Sequence, residues 1–196
     1  MFNKVLIRLF IVVITLGAAS CSTKVTRVDV EEQIDLSGRW NDTDSRLTAS
    51  ELVTSVLTGP WLTNYMQANG GERPTVIAGM VTNKSHEHIS AETFVKDIEK
   101  SFISSQKVRL VQGGAKREEI RGERASQQNH SSKSTMKNWG LEIGADYIMQ
   151  GTINSIVDSK GRQKVIYYQI DMQLTDIETN EVVWIGDKKI KKGVKN

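Results

Sequence analysis

The stretch 164–175 alternates strictly: Ile166, Tyr168, Ile170, Met172 and Leu174 fall on one side, and Gln169, Asp171, Gln173 and Thr175 on the other. Side chains of a strand point in turn to its two faces. A period of two therefore requires a strand with one face buried and the other wet. Turn chemistry bounds the run, with Asp158, Ser159, Lys160 and Gly161 before it and Thr179 and Asn180 after it. Beyond those turns lie 145–157 and 181–190, two further runs of strand character. Connections so short make neighbours antiparallel, which predicts a C-terminal three-strand meander with helices over one side.

Helical spacing appears upstream. In 45–57, Ala49, Leu52, Val53, Val56 and Leu57 share one face. Asp44 is the expected N-cap, and Gly59-Pro60 the expected end. Trp61, Leu62 and Tyr65 suggest a short second turn of helix. The apolar run 75–81 after Pro74 reads as a buried strand. Ser90 can cap a helix in which Phe94, Val95, Ile98 and Phe102 share a face, with Glu92 in the first turn where the dipole favours a carboxylate. Residues 108–111 read as a brief strand ending at Gly113-Gly114. The segment 115–137 is highly polar, with Ile120 nearly its only large apolar residue before Met136, and reads as exposed helix or mobile loop. The expected fold class is α+β: a mixed or mainly antiparallel sheet flanked by helices.

The N-terminus reads as a targeting signal. Lys4 and Arg8 precede the apolar run 9–16, and Ala18-Ala19-Ser20 lead to Cys21, the one cysteine of the chain. The run falls short of the roughly 20 residues that span a bilayer. It reads as a lipoprotein signal peptide over 1–20, with lipidation at Cys21; an ordinary signal peptide with an incidental cysteine has the same outline. An acylated Cys21 leaves no thiol for a disulfide, a metal or a nucleophile. Several acyl chains, at about 0.8 kcal/mol per buried methylene, anchor a protein stably where one does not. Ser22 stands where an aspartate would signal inner-membrane retention, so the expected address is the outer membrane, facing the periplasm. Residues 21–34 read as a short polar tether, and 35–196 as one globular domain.

Charge and motifs narrow the function. The 26 basic and 23 acidic residues come nearer to balance once Lys4 and Arg8 leave with the signal, so no footprint for nucleic acid exists. The 38% apolar and 25% charged residues are those of an ordinary globular chain. His86-Glu87-His88 supplies at most two ligands from an extended segment, which reads as a loop ahead of a helix rather than a metal site. Asp42 and Asp44 beside Trp40 suit capping better than sugar binding. Glu118 and Glu119 interleave with Lys116, Arg117 and Arg121, as on a solvated helix face. Trp40 and Trp61 are expected in the core. With no cofactor, metal, small-molecule or catalytic constellation, the chain reads as a binding protein and not an enzyme.

Three stretches together resemble a family. Residues 35–42 (DLSGRWND) open the domain, 59–62 (GPWL) follow the first amphipathic helix, and 144–153 (GADYIMQGTI) begin the meander. In this order behind a lipoprotein signal, they resemble the LpoB-type activators of penicillin-binding proteins, whose domain is similar to the N-terminal domain of TolB. The resemblance implies a helix-flanked sheet without catalytic residues, in an outer-membrane lipoprotein. It implies a bifunctional penicillin-binding protein as partner, stimulated in peptidoglycan synthesis. A second reading is a structural or assembly adaptor of the envelope. For the contact surface, the polar stretch 117–133 has the freedom to serve a partner, with Arg117, Arg121 and Arg124 as the expected contacts. A solvated helix and loop account for the same pattern.

Overall fold

The structure is a computed structural model and describes residues 24–130 and 142–195. Two compact units divide the chain at 32/33. In the first, residues 24–32 hold neither helix nor strand, and a turn is closed by the amides of Glu31 and Glu32 on Asp29. The second unit contains every helix and strand described: α1 (Asp42–Thr58), α2 (Pro60–Ala68), β1 (Thr75–Asn83), α3 (Ala91–Ser105), β2 (Arg109–Leu110), α4 (Gly114–His130), β3 (Tyr147–Lys160), β4 (Gln163–Asp176) and β5 (Val182–Lys195).

The strands form one sheet in the order β2-β1-β3-β4-β5. β1 pairs in parallel with β2 and β3, while β3-β4 and β4-β5 are antiparallel, so the sheet is mixed and the fold is α+β. The alternating strand sits where its pattern requires. Ile166, Tyr168, Ile170, Met172 and Leu174 are all buried, and residues between them are half-exposed. Against them pack Ala49, Leu52, Val53 and Val56 of α1, Trp61 and Leu62 of α2, and Phe94, Ile98 and Phe102 of α3. Each of the valine, leucine, isoleucine and phenylalanine side chains contributes about 1.5–3 kcal/mol when removed from water. Among the described residues the buried core runs from Ala49 to Leu174, with Trp40, Val183, Trp184 and Ile190 packed against it.

Several boundaries differ from the sequence expectation. Helix α1 begins earlier, and its N-cap is Asn41 rather than Asp44. The Asn41 side chain accepts from the Asp44 amide at 3.0 Å, and the Asp44 carboxylate accepts from the Asn41 amide at 3.0 Å. This reciprocal capping box satisfies two orphan donors at once. The first turns also bury Thr43, Ser45 and Thr48, small polar residues on the side where Ser45 Oγ donates to Asp97 of α3 at 3.0 Å. Strand β1 is only partly buried: Val76 and Val81 are in the core, whereas Met80 is 71% exposed. Helices α1, α2 and α3 pack on the core face, and Met80 on the other side stays exposed among the described residues. β3 continues through Asp158, Ser159 and Lys160 to a two-residue turn at Gly161 and Arg162, and β5 runs on to Lys195. Their polar ends are strand because hydrogen-bonded pairing to β4 continues beyond the core.

Candidate functional site

Helix α4 holds the three arginines singled out in the sequence, and none of its residues is buried. The structure ties all three to neighbours. Arg117 Nε donates to the Gln112 carbonyl at 2.8 Å. Arg121 grips Glu142 through two bonds of 3.1 and 3.0 Å, and Arg124 reaches the same carboxylate at 3.0 Å. A further bond of 2.6 Å joins Arg121 to Glu118. The Arg121 hydrogen bond leads the causes that hold the Glu142 carboxyl below its ordinary value. Exposed side chains of Ile120 and Ile143 stand beside this cluster, in a cleft of about 230 Å³. A guanidinium has five donors, so the arginines keep capacity for a partner while Glu142 orients Arg121 and Arg124 and the Gln112 carbonyl orients Arg117. No local pattern signals Glu142, because it lies 21 residues from Arg121. The part of the expected contact stretch at 131–133 lies outside the described residues, as do the signal at 1–20 and Cys21.

The second surface is the face of the sheet opposite the buried core, exposed among the described residues. Thr82, Gln150, Thr152, Asp171 and Gln173 line a shallow depression of about 330 Å³ with Met80 and Ile185, which is 73% exposed. A bulge between Ala78 and Val81 contains Met80. Its neighbour must be glycine, since a Cβ on Gly79 would lie 2.8 Å from the Met149 carbonyl oxygen. Polar side chains on this face bind one another. Tyr167 donates to Gln169 at 3.0 Å, Gln169 to Asp171 at 2.7 Å, and Asn154 to Asp171 at 3.2 Å. Such a ladder fixes the side chains while Met80, Ile156 and Ile185 stay exposed beside them.

The remaining chemistry-bearing residues serve the fold. Glu87 accepts from the Trp40 amide at 3.1 Å and from the Tyr168 hydroxyl at 2.8 Å. His86 lies 3.1 Å from Glu87, bonds Ser155 at 2.6 Å through Nδ1, and stacks on Tyr168. No group of three or more metal-competent side chains forms among the described residues. Asp44 pairs with Lys192 at 2.5 Å, and so does Asp35 at 2.7 Å. Trp61 is buried with its Nε1 donating to the Val56 carbonyl at 2.6 Å, and Trp40 packs edge-on against Phe94 and Tyr168. No helix of the described residues is long and apolar enough to cross a membrane.

A family described as peptidoglycan-synthase activator LpoB matches residues 44–190. Among solved structures, the LpoB C-terminal domain from Salmonella enterica aligns at 16% identity, covering 76% of this chain and 99% of that one, with a TM-score of 0.45. The corresponding domain from Escherichia coli aligns at 15% identity over 76% and 99%, with a TM-score of 0.43. The NMR structure of E. coli LpoB aligns at 14% over 89% and 84%, with a TM-score of 0.42. No curated protein sequence matches.

Proposed function

This chain belongs to the LpoB family of peptidoglycan-synthase activators, and from that membership we propose that it binds a bifunctional penicillin-binding protein and raises its activity. The family is a regulatory one, so the chemistry belongs to the synthase. The observation that carries the reading is the match over 44–190, which takes in all four described helices almost whole and most of the sheet. On this reading Cys21 is lipidated, residues 1–20 are removed, and the domain stands in the periplasm tethered to the outer membrane through 21–34.

The mechanism follows from linkage. An activator shifts its enzyme only by binding the active conformation better than the resting one. A tenfold population shift needs about 1.4 kcal/mol of differential affinity. Helix α4 is the proposed contact, with Arg117, Arg121 and Arg124 oriented on its surface and apolar Ile120 among them. Rim charges of this kind govern encounter rate and salt dependence.

The test is glycan polymerisation by the host's bifunctional penicillin-binding proteins, with and without residues 22–196, which retain the entire core. A saturable, several-fold stimulation of one enzyme is expected. The absence of both binding and stimulation across the whole set would retire the activator reading in favour of an envelope adaptor. Reversal of Arg117, Arg121 and Arg124 to glutamate should weaken binding at least tenfold while far-UV circular dichroism stays unchanged. Unaltered affinity would move the contact off α4.

A further inference from the structure

At one end of the sheet, α2 and the β4-β5 turn enclose an open groove of about 700 Å³. Four of its lining residues are carboxylates, namely Asp146, Asp176, Glu178 and Glu181, and among the described residues no lysine, arginine or histidine lines it. Two of the four have structural work. Asp146 accepts from the Tyr65 hydroxyl at 2.8 Å and the Thr75 amide at 2.6 Å. Asp176 accepts from the amides of Glu178 and Thr179 at 2.9 and 2.8 Å, and so shapes the turn. Glu178 and Glu181 donate their own amides to that turn, and their carboxylates take part in none of the ion pairs found among the described residues. Elsewhere acidic side chains are commonly paired, as are Asp35, Asp44, Glu51, Glu72, Glu99 and Glu142.

The walls between these carboxylates are apolar. Ile177 and Val182 are 43% and 47% exposed, and Pro60 and Ala68 face the same space. At the base, Tyr147 is held by edge-on contacts with Trp61 and Tyr65, at 5.0 and 5.7 Å between ring centres. Burial and then the Asp146 carboxylate push Tyr65 up to about 12. Tyr147 is raised as well, by burial first and then by Asp176, Asp146 and Glu181. Among the described residues the lining thus carries four carboxylates and no cation, while the Arg109 guanidinium acts on Tyr65 in the opposite sense.

We propose that this groove receives a lysine- or arginine-bearing segment of a partner protein. Apolar walls suit the methylene stem of such a side chain, and the carboxylates suit its charged head. The carboxylates do not form a metal-competent group, which favours a diffuse cation on a flexible stem over a bare ion. Reciprocal charge speeds encounter and selects the partner. The inference goes beyond the activator reading, because it states what chemistry seats here whatever the partner's activity.

The probe is an octapeptide of alternating glycine and lysine, titrated into ¹⁵N-labelled residues 22–196 at low salt, with a glycine–glutamate octapeptide as control. The expected result is saturable amide shifts centred on Tyr65, Tyr147 and 177–183 with the lysine peptide alone, lost at 0.5 M salt. Glu178→Gln with Glu181→Gln should weaken that binding at least tenfold, while Glu119→Gln with Glu123→Gln on α4, an equal change in net charge, leaves it intact. Shifts spread over the acidic surface, or equal weakening by both pairs, would overturn the proposal. Sedimentation without peptide gives the other arm. Self-association at low salt that the groove pair abolishes would assign the groove to a second copy and overturn the partner assignment.

Discussion

At position 192 the alternation of β5 turns a lysine toward the helix side, where only 11% of its side chain is exposed. Its ammonium meets Asp44 at 2.5 Å, Asp35 at 2.7 Å and the Arg39 carbonyl at 3.1 Å. Lys192 therefore straps the segment ahead of α1 to the far edge of the sheet, and Glu87 holds the same segment through the Trp40 amide. Burial works to lower the Lys192 ammonium, but hydrogen bonds with Asp35 and Asp44 outweigh it and the net shift is upward. The same Lys192 bond leads the causes that lower Asp35. A depressed carboxylate stabilises above its unfolded value and loses this as pH falls; a raised ammonium stabilises below its unfolded value and loses this as pH rises. The strap should therefore hold from about pH 4 to about pH 10 and loosen outside that window. Near-UV circular dichroism from Trp40, which packs on Phe94 and Tyr168, should fall below about pH 4 in the wild type. Lys192→Met keeps most of the stem, leaves the buried Asp44 and the more exposed Asp35 without their cation, and should cost about 2 kcal/mol in urea denaturation. A loss under 1 kcal/mol would show that the strap adds nothing to the fold. Nothing in local sequence signals this lysine, since its partners are 148 and 157 residues away.

Among the elements, β4 was fully legible and β1 was not. A period of two carries its own face assignment, whereas a continuous apolar run leaves both faces equivalent until the layers around the sheet are known. The α1 start was misplaced for a related reason. Asp44 is a good capping residue in isolation, but Asn41 three positions earlier completes the reciprocal pair, and the intervening turn buries threonine and serine instead of aliphatic residues. Glycines inside strands were likewise visible without their cause. A Cβ on Gly151 would lie 2.3 Å from the Asp171 carbonyl oxygen and 2.2 Å from Met172 Sδ. Met172 could shift, but the backbone oxygen belongs to the β3-β4 ladder and cannot. Gly151→Ala should therefore cost about 2–3 kcal/mol by overpacking, read as a lower denaturant midpoint. Gly161→Ala, in the β3-β4 turn at a φ of 60° with open space around it, should cost only about 1 kcal/mol of backbone strain. Similar losses at the two positions would mean that close approach is not the reason for Gly151.

For the whole molecule the question is reach. On the lipoprotein reading, 21–34 spans about 50 Å fully extended and nearer 20 Å as a coil, and the domain adds about 40 Å. Doubling that stretch with glycine–serine repeats should leave stimulation by the soluble protein unchanged and raise crosslinking to the synthase in cells. Loss of soluble stimulation would instead place contacts in the stretch itself. By itself the sequence determined the α+β class, the meander, the α1 and α3 faces and the family resemblance, because these rest on periodicity, turn residues and short motifs read within a dozen neighbours. Tertiary structure alone decided which face of β1 is wet, that Glu142 gathers Arg121 and Arg124, that Lys192 closes the strap, and that four carboxylates meet around one groove. Each of these depends on side chains far apart in the chain arriving at one place, and no local pattern encodes that arrival.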